Sequence, residues 1–131
     1  MKQKALIYNN YLNTSGGGER STLDLARALS SLGFDITLAC AQKNSFSLQS
    51  LSEAFGVPEA ISWSTFECEY ETEIEDYLLK NDFYLFANHT TCSFMPNKAS
   101  FGIYVAMFPF LHNENSRAAL KTYNLVSCIS N

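Results

Sequence analysis

Short apolar runs constrain the fold of this chain more than any other feature. Ala5-Leu6-Ile7-Tyr8, Asp35-Ile36-Thr37-Leu38-Ala39-Cys40, Phe83-Tyr84-Leu85-Phe86-Ala87, Ile103-Tyr104-Val105-Ala106-Met107-Phe108 and Leu125-Val126-Ser127-Cys128-Ile129 are each too short for an independent helix and nearly continuous in apolar character. Runs of that kind belong to strands covered on both faces, as in a parallel sheet flanked by helices. Between them, apolar residues recur at helical spacing. Leu25, Ala28, Leu29 and Leu32 form one stripe, with Gly33 at a helix C-cap position. Leu48, Leu51 and Phe55, closed by Gly56 and Pro58, form a second, and Tyr70, Ile74, Tyr77 and Leu78 a third. Ala118, Ala119, Leu120 and Tyr123 suggest a last helix, and Ile61 with Trp63 a further strand. This alternation predicts an α/β fold, a Rossmann-like three-layer sandwich with a mostly parallel sheet. At 131 residues and 47% apolar content the chain has material for one core, so residues 1–131 read as one domain.

Charge and cysteine usage narrow the function classes. A net charge of −4 gives no basic stripe to neutralise phosphates, so nucleic acid is not an expected partner. Cys40, Cys68, Cys92 and Cys128 lie far apart with no zinc-type spacing, which predicts free thiols and a reducing compartment. The start Met1-Lys2-Gln3-Lys4 leads into only four apolar residues, too few for a signal peptide, and no run reaches the length of a membrane span. A cytoplasmic protein is expected. The acidic run Glu67, Glu69, Glu71, Glu73, Glu75 and Asp76 reads as the solvated face of a helix, and no carboxylate pair is placed for a metal.

The most pointed local feature is Asn13-Thr14-Ser15-Gly16-Gly17-Gly18-Glu19-Arg20-Ser21, which joins the first strand to the first helix. Unpaired N–H groups and the helix dipole favour an anion at such a junction, and glycines let the backbone approach a phosphate. A tight turn with positive φ is the alternative use of the same glycines. The dinucleotide fingerprint G-x-G-x-x-G fails at Ser21, and the second strand ends in Ala39-Cys40-Ala41-Gln42 without an acid for a ribose. A P-loop would need Gly-Lys-Ser/Thr, whereas Gly18 is followed by Glu19 and Arg20. Neither NAD nor ATP chemistry fits.

The segment Gly16-Gly17-Gly18-Glu19-Arg20, continued by Leu23-Asp24-Leu25-Ala26-Arg27-Ala28-Leu29 and Leu32-Gly33-Phe34-Asp35-Ile36-Thr37-Leu38, resembles the opening of nucleotide-sugar glycosyltransferases with the GT-B fold. Gly102 to Pro109 is similar to a later strand end of one branch of that family, and Ser127 to Asn131 to the last strand end of its N-terminal domain. The resemblance implies the N-terminal, acceptor-binding half of a GT-B enzyme that transfers a sugar, with retention, from a UDP- or GDP-sugar to a glycan or lipid-linked acceptor. It requires no metal or other cofactor. Gly16, Gly17 and Gly18 would approach the donor diphosphate, and a C-terminal domain outside these residues would carry most donor contacts, leaving the isolated chain inactive.

Where many members carry a histidine after the fifth strand, this chain has Met107 or Pro109, so that role does not transfer. His89 is the catalytic candidate, binding an acceptor hydroxyl or relaying a proton, with a hydrogen-bonded loop histidine as the alternative. Asn9, Asn10, Asn88 and Pro109 are acceptor-side candidates; the first two could equally satisfy backbone at the strand end. His112 lies in a polar loop without an expected role. Phe108-Pro109-Phe110-Leu111 is expected to pack under the second domain or to touch a membrane-borne acceptor. Two rival readings are a non-catalytic phosphate- or nucleotide-binding module and the N-terminal half of a nucleotide-sugar epimerase.

Overall fold

The structure is a computed structural model that describes residues 2–13, 17–41, 46–90, 93, 95–106 and 114–128. Gly16, Cys92, Pro109 with its apolar neighbours, Met107, His112 and the segment Ile129 to Asn131 lie outside the described residues. The chain runs β1 (Lys4–Tyr8), α1 (Gly17–Ser31), β2 (Asp35–Cys40), α2 (Leu48–Phe55), a 3-10 turn (Pro58–Ser62), β3 (Ser64–Glu67), α3 (Glu71–Lys80), β4 (Leu85–Asn88), β5 (Phe101–Ala106), α4 (Glu114–Leu120) and β6 (Leu125–Cys128).

The six strands form one sheet in the order β3-β2-β1-β4-β5-β6, every pairing parallel. This is the doubly wound order of a Rossmann-like α/β domain, with its topological switch point between β1 and β4. The continuous apolar runs of β1, β2 and β4 follow from it, because their side chains alternate between two buried faces, whereas at the sheet edge the run of β6 leaves Leu125 and Val126 exposed, against the expectation of two-sided cover. Ala5 and Ile7 pack with Leu23, Ala26, Leu29, Ile36 and Leu38 on the face covered by α1 and α2. Leu6 and Tyr8 pack with Ile74, Leu78, Phe83, Phe86, Tyr104 and Tyr123 on the face covered by α3 and α4.

Helix ends obey local chemistry. The Ser47 hydroxyl accepts from the Ser50 N–H to start α2, and Gly56, at φ 67°, closes it in the left-handed region that glycine enters at least cost. The Glu73 carboxylate accepts from the N–H groups of Glu69 and Tyr70, each at 2.9 Å, and so caps α3.

Three expectations shift. The buried stripe of α1 is Glu19, Thr22, Leu23, Ala26 and Leu29, about one residue's rotation, some 100°, from the stripe read off its leucines. Ala28 and Leu32 face solvent. Thr22 is held on the inner face by the Asn9 amide and the His89 ring at the strand ends beneath it. Ile61 and Trp63 precede the third strand rather than form it: Ile61 lies exposed in the 3-10 turn that Pro58 opens, and β3 begins at Ser64. Tyr84 is exposed ahead of β4, and Tyr70 stands outside the inner stripe of α3.

Candidate functional site

Parallel strands end together, so the carboxyl edge gathers residues far apart in sequence. Tyr8 pairs in register with Asn88, and Asn88 with Tyr104. The ladder continues one residue further: Asn9 N–H donates to Ala39 O (3.0 Å) and His89 N–H to Tyr8 O (2.9 Å). Successive side chains point to opposite faces. Tyr8, Asn88 and Tyr104 therefore turn toward α3 and α4, while Asn9 and His89 turn toward α1, on either side of the switch point.

Under α1, Asn9 and His89 are both buried. The Asn9 amide donates to Thr22 Oγ1 (2.8 Å), and Asn9 Oδ1 accepts from the Tyr11 N–H (2.8 Å). Thr22 Oγ1 donates to Gly18 O (3.0 Å), so toward His89 Nδ1, at 3.1 Å, it can only accept. The ring proton of neutral His89 is thereby assigned to Nδ1, and Nε2 accepts from Ser21 Oγ at 3.1 Å. Burial pushes the imidazole pKa below its ordinary 6.5, partly opposed by a backbone hydrogen bond and by the nearby Glu19 charge. His89 is thus a buried neutral base whose outward contact is the half-buried Ser21 hydroxyl.

Gly17 opens α1, about one turn ahead of Ser21 and Thr22. It has no positive φ, and a Cβ built on it would meet nothing within 4 Å. Neither backbone conformation nor packing requires glycine there, so the turn explanation does not hold at this position. Gly33 and Gly56, by contrast, have φ of 97° and 67°.

On the other face lies a second polar cluster. Asn10 accepts from the Ala41 N–H (2.7 Å), and its amide donates to Tyr8 OH (2.7 Å). Asn88 donates to Ser93 Oγ (3.0 Å) and to Tyr123 OH (3.1 Å). Tyr123 OH donates to Met95 O (2.6 Å) and Tyr104 OH to Ser93 O (3.0 Å), pinning the chain after β4. Glu71, at the first turn of α3, accepts from Ser93 Oγ (3.0 Å) and lies near the Tyr8 hydroxyl. Burial raises the Glu71 pKa, the Ser93 and Tyr8 bonds oppose it, and the Glu75 charge adds to it. Burial likewise raises the Tyr8 and Tyr123 phenols.

The acidic run is therefore not uniformly a solvated face: Glu71 turns into the polar cluster. Asn9, Asn10 and Asn88 use their amides internally. Ser21, Thr22, Tyr8, Ser93, Tyr123 and Glu71 are participants that periodicity does not single out; the clue to Glu71 and Ser93 is their position just beyond strand ends. Burial followed by the Glu73 charge pushes the Cys68 thiol up to about 11, far from a reactive thiolate.

Among the described residues no three His, Cys, Asp or Glu side chains gather as a metal site, and no helix is long and apolar enough to cross a membrane. Grooves of about 560 and 420 Å³ open at the opposite, amino edge, around Lys2, Lys4 and Asp35. Open α/β sheets bind ligands at the carboxyl edge, and the polar clusters lie there. Comparison with protein-family profiles, with curated proteins and with solved structures finds no match to this chain.

Proposed function

We propose that this chain is the acceptor-side half of a GT-B-type glycosyltransferase, moving a sugar from a UDP- or GDP-sugar to a glycan or lipid-linked acceptor. The observation that carries the reading is Gly17: an open-sided glycine at the start of α1, demanded by neither φ nor packing, beside the switch point between β1 and β4. Such a position leaves room for a diphosphate against helix N–H groups, which would stabilise the charge that develops on the departing nucleotide. His89 supports the reading as a positioning residue. Its neutral ring orients the Ser21 hydroxyl at the half-buried surface of α1, and Ser21 is the group on this face available to meet a substrate.

Donor contacts beyond the glycine loop are assigned to a second, donor-binding domain. Transfer from radiolabelled UDP- and GDP-sugars, assayed with that domain present, tests the proposal. Gly17→Val should lower kcat at least tenfold while circular dichroism and Tm hold. Undiminished turnover would remove the loop from the mechanism, and absence of transfer from either donor class would remove the transferase reading.

A further inference from the structure

Under α1 the hydrogen bonds run in one direction and end at the surface. Thr22 Oγ1 accepts from the Asn9 amide and the His89 Nδ1–H and gives its own proton to Gly18 O, so its capacity is full. The His89 ring is thereby fixed with the lone pair of Nε2 turned to Ser21 Oγ, 3.1 Å away. Ser21 directs its one proton at that nitrogen, and among the described residues nothing donates to its oxygen. His89 is buried and Ser21 half-buried, so the base is shielded from water while the hydroxyl residue reaches the surface. A nucleophile hydrogen-bonded to a base, with the base oriented by a third group, is the arrangement that activates a serine. Thr22 fills the place of the orienting group, and the nearby Glu19 charge favours the imidazolium that proton uptake creates.

We infer that Ser21 is an acyl-transfer nucleophile with His89 as its general base, acting on small carboxylic esters. The inference stands apart from the transferase reading, since it needs neither a nucleotide-sugar nor a second domain. In the first step Ser21 Oγ bonds to the ester carbonyl carbon, the carbonyl π pair moves to oxygen, and the Ser21 proton passes to His89 Nε2. Collapse of that adduct breaks the bond to the alkoxide, which takes the proton from Nε2 and leaves as an alcohol. A water molecule then gives a proton to the same nitrogen and attacks the acyl carbon; Ser21 Oγ leaves, takes that proton, and a carboxylic acid is released. The oxyanion forms about one turn from the start of α1, where first-turn N–H groups lack intrahelical partners and the helix dipole is positive. Gly17, one turn before Ser21 on the same helix face, has open space where a Cβ would stand and so leaves room beside the hydroxyl for the acyl group.

Reaction of the full chain with a fluorophosphonate probe and with p-nitrophenyl acetate tests the inference. The fluorophosphonate, which loses fluoride to a serine oxygen, should leave one phosphonyl group, located on Ser21 by peptide mass spectrometry. The ester should give a burst of p-nitrophenol and an acetyl group on the same oxygen. Ser21→Ala should abolish both, and His89→Gln should slow the burst by about 100-fold, the low end of what a positioned base contributes. Heavy water serves if His89→Gln fails to fold: the parent burst should be slower there than in light water, because the Ser21 proton moves in that step. Absence of labelling, labelling at another residue, an undiminished burst in either variant, or equal bursts in the two solvents would overturn the assignment. Acylation of Ser21 without any sugar transfer would keep this inference and remove the transferase reading. Sugar transfer without acylation would do the reverse.

Discussion

Three residues differ in what they contribute to stability. Gly17 is the first residue of a helix, with open space around it, so Gly17→Ala should change stability by no more than about 0.5 kcal/mol. It should weaken diphosphate binding nonetheless, read by denaturant melts and by titration with UDP or GDP in the presence of the donor-binding domain. His89 has a depressed pKa, so the stability it contributes is complete above pH about 6.5 and is lost as pH falls through its folded value. Glu71 has the opposite sign: its contribution is complete below the ordinary 4.5 and is lost as pH rises through its raised folded pKa. Melts from pH 4 to 8 should show a descending acid limb that flattens in His89→Gln, whereas Glu71→Gln should be at least as stable as the parent at pH 7. Marked destabilisation of Glu71→Gln would contradict that sign. None of this is legible from periodicity. His89, Asn9, Asn10 and Asn88 are locatable because they follow apolar runs, but their hydrogen-bond partners come from other elements and depend on register.

At the scale of elements, sequence is most informative where burial is two-sided and least where one face is mixed. β1, β2 and α2 lie where their apolar runs, Gly33 and Gly56 indicate. The stripe of α1 differs from its periodic reading because Ala28 and Leu32 draw that reading toward solvent, while Thr22 and Glu19 look like surface residues until His89 lies beneath them. The segment after β4 is held by side-chain hydroxyls rather than by a ladder. Tyr123→Phe removes the bond to Met95 O and leaves the Asn88 amide short of an acceptor, a loss of about 1–3 kcal/mol. Hydrogen exchange at the Met95 amide should rise in that variant; unchanged protection would show that the segment is held otherwise. Gly102 belongs to the same support. A Cβ there would approach the Asn97 side chain to 2.5 Å, and that side chain donates to Ala99 O and Thr122 O. Gly102→Ala should therefore lower Tm, in contrast to Gly17→Ala.

At the scale of the molecule, strand order decides where chemistry is placed. A parallel sheet with its reversal between β1 and β4 brings the ends of those strands to one edge, and the pleat sends Asn9 and His89 to one side and Tyr8 and Asn88 to the other. The α/β class is readable from the alternation of runs and stripes. The order is not, because a short apolar run carries no record of its neighbours. The central claim is that this edge, and not the grooves around Lys2, Lys4 and Asp35, receives the ligand. Amide shift mapping with UDP-glucose and GDP-mannose, with the donor-binding domain present, addresses it most directly. Perturbations are expected to concentrate at Gly17, Gly18, Ser21 and His89 for one of the two donors. Perturbations centred on Lys4, Asp35 and Asp82, or none with either donor, would contradict it.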